Sequence, residues 1–220
     1  MSLAAARTFP ETSRSALGAI GTVSLFDRNS TIYSEGDASS HVYKVVNGGV
    51  RLCKMMPDGR RQIAEFALPG DYFGIDWLDQ YALTAEALAD TTAICFARSR
   101  LDRLGDENHE VRAELYSTLR HDLWAAQNHL IILGRQSARE RVAWFLVQLI
   151  ERRGAGEGDA LDLPMTRQDI ADYLGLTIET VCRVLTAFKR KGIIDIPDRH
   201  SIVVCDAGAL RRARAPAAGQ

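Results

Sequence analysis

The sequence lacks any apolar run approaching the roughly 18 residues that a membrane-crossing helix needs, and its opening stretch, MSLAAARTFPE, has no apolar core of the kind a secretory signal carries. A cytoplasmic chain with no membrane partner is therefore expected. Cysteine is scarce. Cys53, Cys95, Cys182 and Cys205 stand far apart with no Cys-x-x-Cys pair, which speaks against a zinc site and against a disulfide framework. An excess of one charge is also lacking, the formal net charge being −1 over 220 residues. A neutral chain can still carry a basic face. Divided at Gly134, the sequence has 13 Lys/Arg against 17 Asp/Glu in its first part and 14 against 11 in its second, so positive charge gathers toward the C-terminal end.

The length allows two small domains, each with its own core. Residues 1–19, rich in Ala, Ser and Thr, read as a loose N-terminal arm. Between residues 31 and 97 short runs of Val, Ile, Tyr and Phe alternate with turn signals: Glu35-Gly36-Asp37, Asn47-Gly48-Gly49, Pro57-Asp58-Gly59 and Pro69-Gly70-Asp71. This spacing predicts an all-β sandwich or roll, assigned to residues 20–107. From Asn108 to Leu133 there is neither Gly nor Pro, and Tyr116, Leu119, Leu123, Ala126, Leu130 and Leu133 recur at heptad spacing. A long helix over 108–134 is predicted, its apolar stripe forming a dimer seam, because a helix joining two domains has little intramolecular core to cover its length.

Gly134 to Ser137 breaks this pattern. Ser137 is placed to cap a helix whose Val142, Phe145, Leu146, Leu149 and Ile150 form one apolar face, ended by Gly154. Thr166 and Asp169 have the spacing of a capping box, Gly175 is a stop, and Thr177 caps another helix with Glu179 in its first turn. Two helices joined by a short turn containing Gly make a helix-turn-helix. The alternating stretch IIDIPDRHSIVVCD, folded about Pro197-Asp198-Arg199, then reads as a two-stranded wing, so residues 135–207 are predicted to be a winged helix-turn-helix. The basic, small-residue stretch 208–220 reads as a flexible tail.

MTRQDIADYLGLTIETVCRVL resembles the DNA-binding end of the CRP/FNR transcription regulators, and within them the FixK-like branch. The resemblance covers residues 20–207. It implies an α+β chain: an N-terminal double-stranded β-roll of the cyclic-nucleotide-binding type, a long dimerisation helix and a C-terminal winged helix-turn-helix. The implied partners are double-stranded DNA, a second copy of the chain and RNA polymerase.

The chain departs from family members that bind cyclic AMP. Their pocket needs a Glu for the ribose and an Arg for the phosphate, since a buried anion without a cation is costly. Ile75 and Leu83 stand at those places, and no basic residue occurs between Arg61 and Arg98. The cysteines that hold an iron–sulfur cluster in the oxygen-sensing branch have no counterpart before Cys53. His41, His109, His121 and His129 read as surface or internally satisfied histidines rather than haem ligands. A metal-dependent oxygenase built on a roll needs two or three converging His/Glu ligands, and the roll segment offers His41 alone. No catalytic, cofactor-binding or metal-binding residue is assigned. An effector-gated regulator with an unknown ligand in the roll is the alternative reading.

In a helix-turn-helix the second helix meets base edges with its N-terminal part. Arg183 is suited to guanine O6 and N7, and Glu179 to the N4 donor of cytosine. The resemblance makes this the G·C pair of a TTGA half-site, within a TTGA-N6-TCAA palindrome. Ile178, where GTGA readers have Arg, suits a thymine methyl, and Cys182 lies within reach of another. Arg167, Gln168, Thr177, Thr180, Arg199 and His200 are the expected phosphate contacts, with Lys189, Arg190 and Lys191 adding positive charge. Cys182, beside Arg183, is either a small packing residue at the bases or a redox-sensitive thiol whose oxidation disfavours DNA.

Overall fold

The computed structural model describes residues 16–75, 79–154 and 156–214. Eight strands come first: β1 (Gly21–Phe26), β2 (Thr31–Tyr33), β3 (His41–Asn47), β4 (Val50–Met55), β5 (Arg61–Ala67), β6 (Tyr72–Phe73), β7 (Thr84–Ala87) and β8 (Thr91–Ala97). Helices α1 (Arg98–Glu107), α2 (His109–Arg135) and α3 (Ala138–Arg153) follow. The remainder is β9 (Ala160–Asp162), α4 (Arg167–Leu174), α5 (Ile178–Arg190), β10 (Ile194–Asp195), β11 (Ser201–Val204) and α6 (Ala207–Arg214). The first eight strands form two four-stranded sheets, ordered β1-β8-β3-β6 and β2-β7-β4-β5, which is the double-stranded roll expected from the turn spacing. Two compact units result, one of residues up to Val50 with Ala67–Leu123, the other of Arg51–Phe66 with Trp124 onwards.

In the first unit the alternation of side chains along β3 and β8 sends Val42, Tyr43, Val45, Ala93 and Phe96 inward. Val42, Tyr72 and Phe96 share a cluster with Leu101 of α1, Val111 of α2 and Leu17. Leu17 is therefore core rather than arm, which corrects the expectation for residues 16–19; residues 1–15 lie outside the described residues. Inside the roll Tyr33 stacks on Tyr81, ring centroids 3.6 Å apart, and Tyr43 on Phe73 at 4.9 Å. Gly48 takes φ +84°, and a Cβ there would come within 2.5 Å of Thr91 Oγ1. That hydroxyl donates to the Gly49 carbonyl at 3.0 Å, so the Asn-Gly-Gly turn is tied to the strand beside it.

In the second unit each helix starts on a side-chain cap. Ser137 and Glu140 form a capping box for α3, and Thr166 and Asp169 one for α4, while Thr177 accepts from the Thr180 N–H at the start of α5. Gly154 and Gly175 end α3 and α4 in the left-handed conformation. The guanidinium of Arg141 donates to the Leu133 carbonyl at 2.8 Å and the Leu174 carbonyl at 2.9 Å, satisfying last-turn acceptors of α2 and α4 together. The wing has three strands, not two, in the order β10-β11-β9, because Leu161 of β9 lies opposite Ile202 of β11.

The expected flexible tail also needs correction. Its first part, with Ala207, is α6, whose buried Ala207, Leu210 and Ala213 pack toward α3. Apolar side chains three apart on one helical face explain this order. Residues 215–220 lie outside the described residues. No helix among the described residues is long and apolar enough to cross a membrane.

Candidate nucleic-acid interface

α5 is strongly two-sided. Val181, Leu185 and Phe188 are buried against the unit's core, together with Ile170, Ala171 and Leu174 of α4. That packing turns the opposite face outward. Glu179, Cys182 and Arg183 are exposed there, with Ile178 half-buried beside them. The four residues expected to read bases thus share one accessible helical face. Glu179 has its carboxyl held below the usual carboxylate range by its own backbone N–H, by Thr177 and more weakly by Arg183. It is ready to accept a hydrogen bond at neutral pH.

The expected phosphate contacts differ among themselves. Thr177 and Thr180 face each other across the start of α5, hydroxyls 3.1 Å apart. Gln168 is exposed and donates to Asp172 at 2.6 Å. Arg199 and His200 are exposed at the wing tip, where the His200 N–H and the Ser201 hydroxyl donate to the Asp198 carboxylate at 2.6 and 2.8 Å. Arg167 is half-buried, and burial pulls its guanidinium below the ordinary arginine value, with Cys182 and Asp198 exerting the opposite pull. Its Nη1 is buried without a hydrogen-bond partner. Lys189 is held at the wing by Asp195 at 2.8 Å and by the Ile196 carbonyl, leaving Arg190 and Lys191 as the exposed charges of that turn.

The α2 stripe is accessible. Tyr116, Leu123 and Leu130 are 64, 60 and 71% exposed, and Trp124 and Ile131, outside the expected heptad positions, are 54 and 61% exposed. Leu119 and Leu133 are half-buried and Ala126 is exposed. Of the cysteines, Cys53 is buried and Cys95 half-buried, while Cys205 is exposed like Cys182. Of the two places set aside for a cyclic nucleotide, Ile75 packs against the Val42–Phe96 cluster and Leu83 is half-buried. The ring of His129 is buried, stacked on Tyr173 at 4.1 Å, and its Nε2 lies 2.9 Å from the Tyr173 carbonyl oxygen.

Sequence reasoning missed the carboxylate behind the site. Asp169 reaches the Thr166 N–H and hydroxyl with one oxygen, while its other oxygen takes Arg51 and Arg61 of the β4–β5 hairpin. The capping-box spacing was legible, but nothing local pointed to arginines more than a hundred positions away.

Residues 24–108 match the model of the cyclic nucleotide-binding domain, and residues 140–213 that of the Crp-like helix-turn-helix domain. The chain is 43% identical over 199 residues to the nitrogen fixation regulation protein FixK of Azorhizobium caulinodans, covering 89% of this chain and 80% of that protein. The chain belongs to the CRP/FNR family of DNA-binding transcription regulators. Within the family it is FixK-like. The FixK protein of Rhizobium meliloti is also 43% identical, over 82% of this chain and 81% of its own. The solved structure of FixK2 from Bradyrhizobium japonicum superposes on this CRP/FNR regulator with a TM-score of 0.84 at 39% identity, covering 90% of this chain and all of that one. These relatives are regulators and not enzymes.

Proposed function

We propose that this regulator is a homodimeric transcription activator that binds TTGA-N6-TCAA palindromes without a small-molecule effector. The observation that carries the reading is the outward face of α5, where Ile178, Glu179, Cys182 and Arg183 are presented together. Arg183 donates two hydrogen bonds to the half-site guanine, Glu179 accepts from the paired cytosine, and Ile178 meets a thymine methyl. Arg167, Gln168, Thr177, Thr180, Arg199 and His200 set the register on the phosphates. The α2 stripe joins two copies, so that two recognition helices enter successive major grooves about 34 Å apart. The stacked Tyr33, Tyr81, Tyr43 and Phe73 inside the roll support a regulator with no ligand there, as do Ile75 and Leu83. Activation through RNA polymerase is carried over from the relatives.

Binding by a two-fold dimer predicts that five base pairs inserted between the half-sites rotate them onto opposite faces of the duplex and abolish tight binding in a gel-shift assay. Undiminished affinity for the longer duplex would refute the geometry. Cys182 makes binding sensitive to oxidation. Peroxide delivers one oxygen to the Sγ thiolate, leaving a sulfenate and water, and a second equivalent gives a sulfinate whose negative charge faces phosphates. Cys182→Ser should bind DNA and resist peroxide, whereas Cys182→Asp should fail to bind. Equal inactivation of the wild type and Cys182→Ser would make the thiol a packing residue only.

A further inference from the structure

The least expected group in the DNA-binding unit is the carboxylate of Asp169, whose side chain is only 2% exposed. A carboxylate removed from water needs compensating partners on both oxygens. Oδ2 accepts from the Thr166 N–H at 2.9 Å and hydroxyl at 2.7 Å, which closes the cap of α4. Oδ1 accepts from Arg61 Nη2 at 2.6 Å and Arg51 Nη1 at 3.2 Å. Arg61 reaches one turn further and donates through Nε to Asp172 Oδ2 at 2.9 Å. One planar guanidinium thus spans two carboxylates of the same helix, a geometry that a point charge cannot reproduce.

The hairpin is also packed in place at its other end. Phe66 meets Tyr173 of α4, ring centroids 5.1 Å apart, and its carbonyl accepts from Arg152 of α3. Between the hairpin and the two reading helices runs a groove of about 1090 Å³, with Met55, Arg60 and Gln62 on one wall and Gln168, Thr177 and Glu179 on the other. The hairpin therefore stands beside the end of α5 that carries the reading face.

We infer that Arg61, assisted by Arg51, is a positioning residue for DNA recognition: the β4–β5 hairpin fixes α4, and through the tight α4–α5 packing sets the angle at which α5 presents its reading face. Neither arginine touches DNA in this arrangement. The inference rests on α5 being the reading helix. Residues that act on a ligand from a distance change its affinity by roughly 2- to 30-fold, and that span is expected here.

The test is fluorescence anisotropy of a labelled TTGA-N6-TCAA duplex with the full-length protein at several salt concentrations. Arg61→Gln and Asp172→Asn should each raise Kd by roughly 2- to 30-fold. The double variant should be no worse than the weaker single one, because both remove the same link. Stoichiometric titration should find every molecule active, and the slope of log Kd against log salt should match the wild type. A slope shallower by about one would make Arg61 a phosphate contact. Unchanged Kd, or effects that add in the double variant, would equally overturn the strut. If Arg61→Gln does not fold, Arg61→Lys keeps the charge without the span. It should unfold at the wild-type temperature yet bind with an intermediate Kd, and wild-type Kd there counts against the inference. A wild type that fails to prefer the palindrome over a scrambled duplex would instead refute the reading of α5.

Discussion

Replacing both Leu123 and Leu130 with Glu is expected to convert the dimer to monomers. Each leucine is more than half exposed in the single chain, so a partner helix has most of each side chain left to cover. Full burial of a leucine stabilises by about 1.5–3 kcal/mol, so covering about two-thirds of one contributes about 1–2 kcal/mol. Two leucines from each of two copies then supply about 4–8 kcal/mol, which at 1.4 kcal/mol per tenfold is about three to six decades in Kd. Four carboxylates brought together in the seam add repulsion. Glu is a good helix former and both sites are exposed, so the monomer should keep its helix content. Sedimentation velocity across a concentration series reads the association state, and circular dichroism checks the fold. A double variant that sediments as a dimer at micromolar concentration would place the seam elsewhere, whatever its DNA affinity.

Arg183→Ala should cost roughly 1–3 kcal/mol and relax discrimination at the G·C pair, whereas Arg167→Ala should weaken binding to all sequences alike. Competition between the palindrome and single-substituted duplexes separates the two, and a uniform loss in both variants would reduce Arg183 to a phosphate contact. Burial, aided by the charge of Arg141, holds the His129 imidazole below the ordinary histidine value despite the Tyr173 and Ala64 carbonyls. Below about pH 6.5 the unfolded chain then binds a proton that the folded chain lacks. The stability His129 contributes is full above that pH and is lost as pH falls toward the folded value. In thermal melts between pH 8 and 5, His129→Phe, which keeps a ring against Tyr173, should show a smaller acid loss than the wild type; parallel curves would remove His129 from the account.

The parts of this structure that could be read in the sequence are those governed by neighbours along the chain. Thr166 with Asp169, Gly175, and Thr177 ahead of Glu179 are caps and stops whose partners lie three or four residues away, so their spacing alone fixes α4 and α5. The parts that escaped are governed by distant partners. β9 is three residues, Ala-Leu-Asp, and becomes a strand only because β11 pairs with it. α6 reads as a basic tail until Leu210 and Ala213 are buried. Trp124 and Ile131 were passed over because a single heptad register was followed along α2. Arg51 and Arg61 lie 118 and 108 positions before Asp169, beyond the reach of any local pattern.

The third wing strand has a consequence for how the DNA-binding part comes apart. β9 precedes α4 and β11 follows α5, so the pairing of Leu161 with Ile202, together with the Leu163 N–H on the His200 carbonyl, closes the backbone into a loop around both helices. A segment whose two ends are hydrogen-bonded to each other cannot fray from either end. Opening it requires breaking long-range pairings whose closure entropy has already been spent, so α4, α5 and the wing are expected to open together as one cooperative block. In native-state hydrogen exchange their slowest amides should share one opening free energy, while the lone turn at Gly154, outside the loop, exchanges on its own.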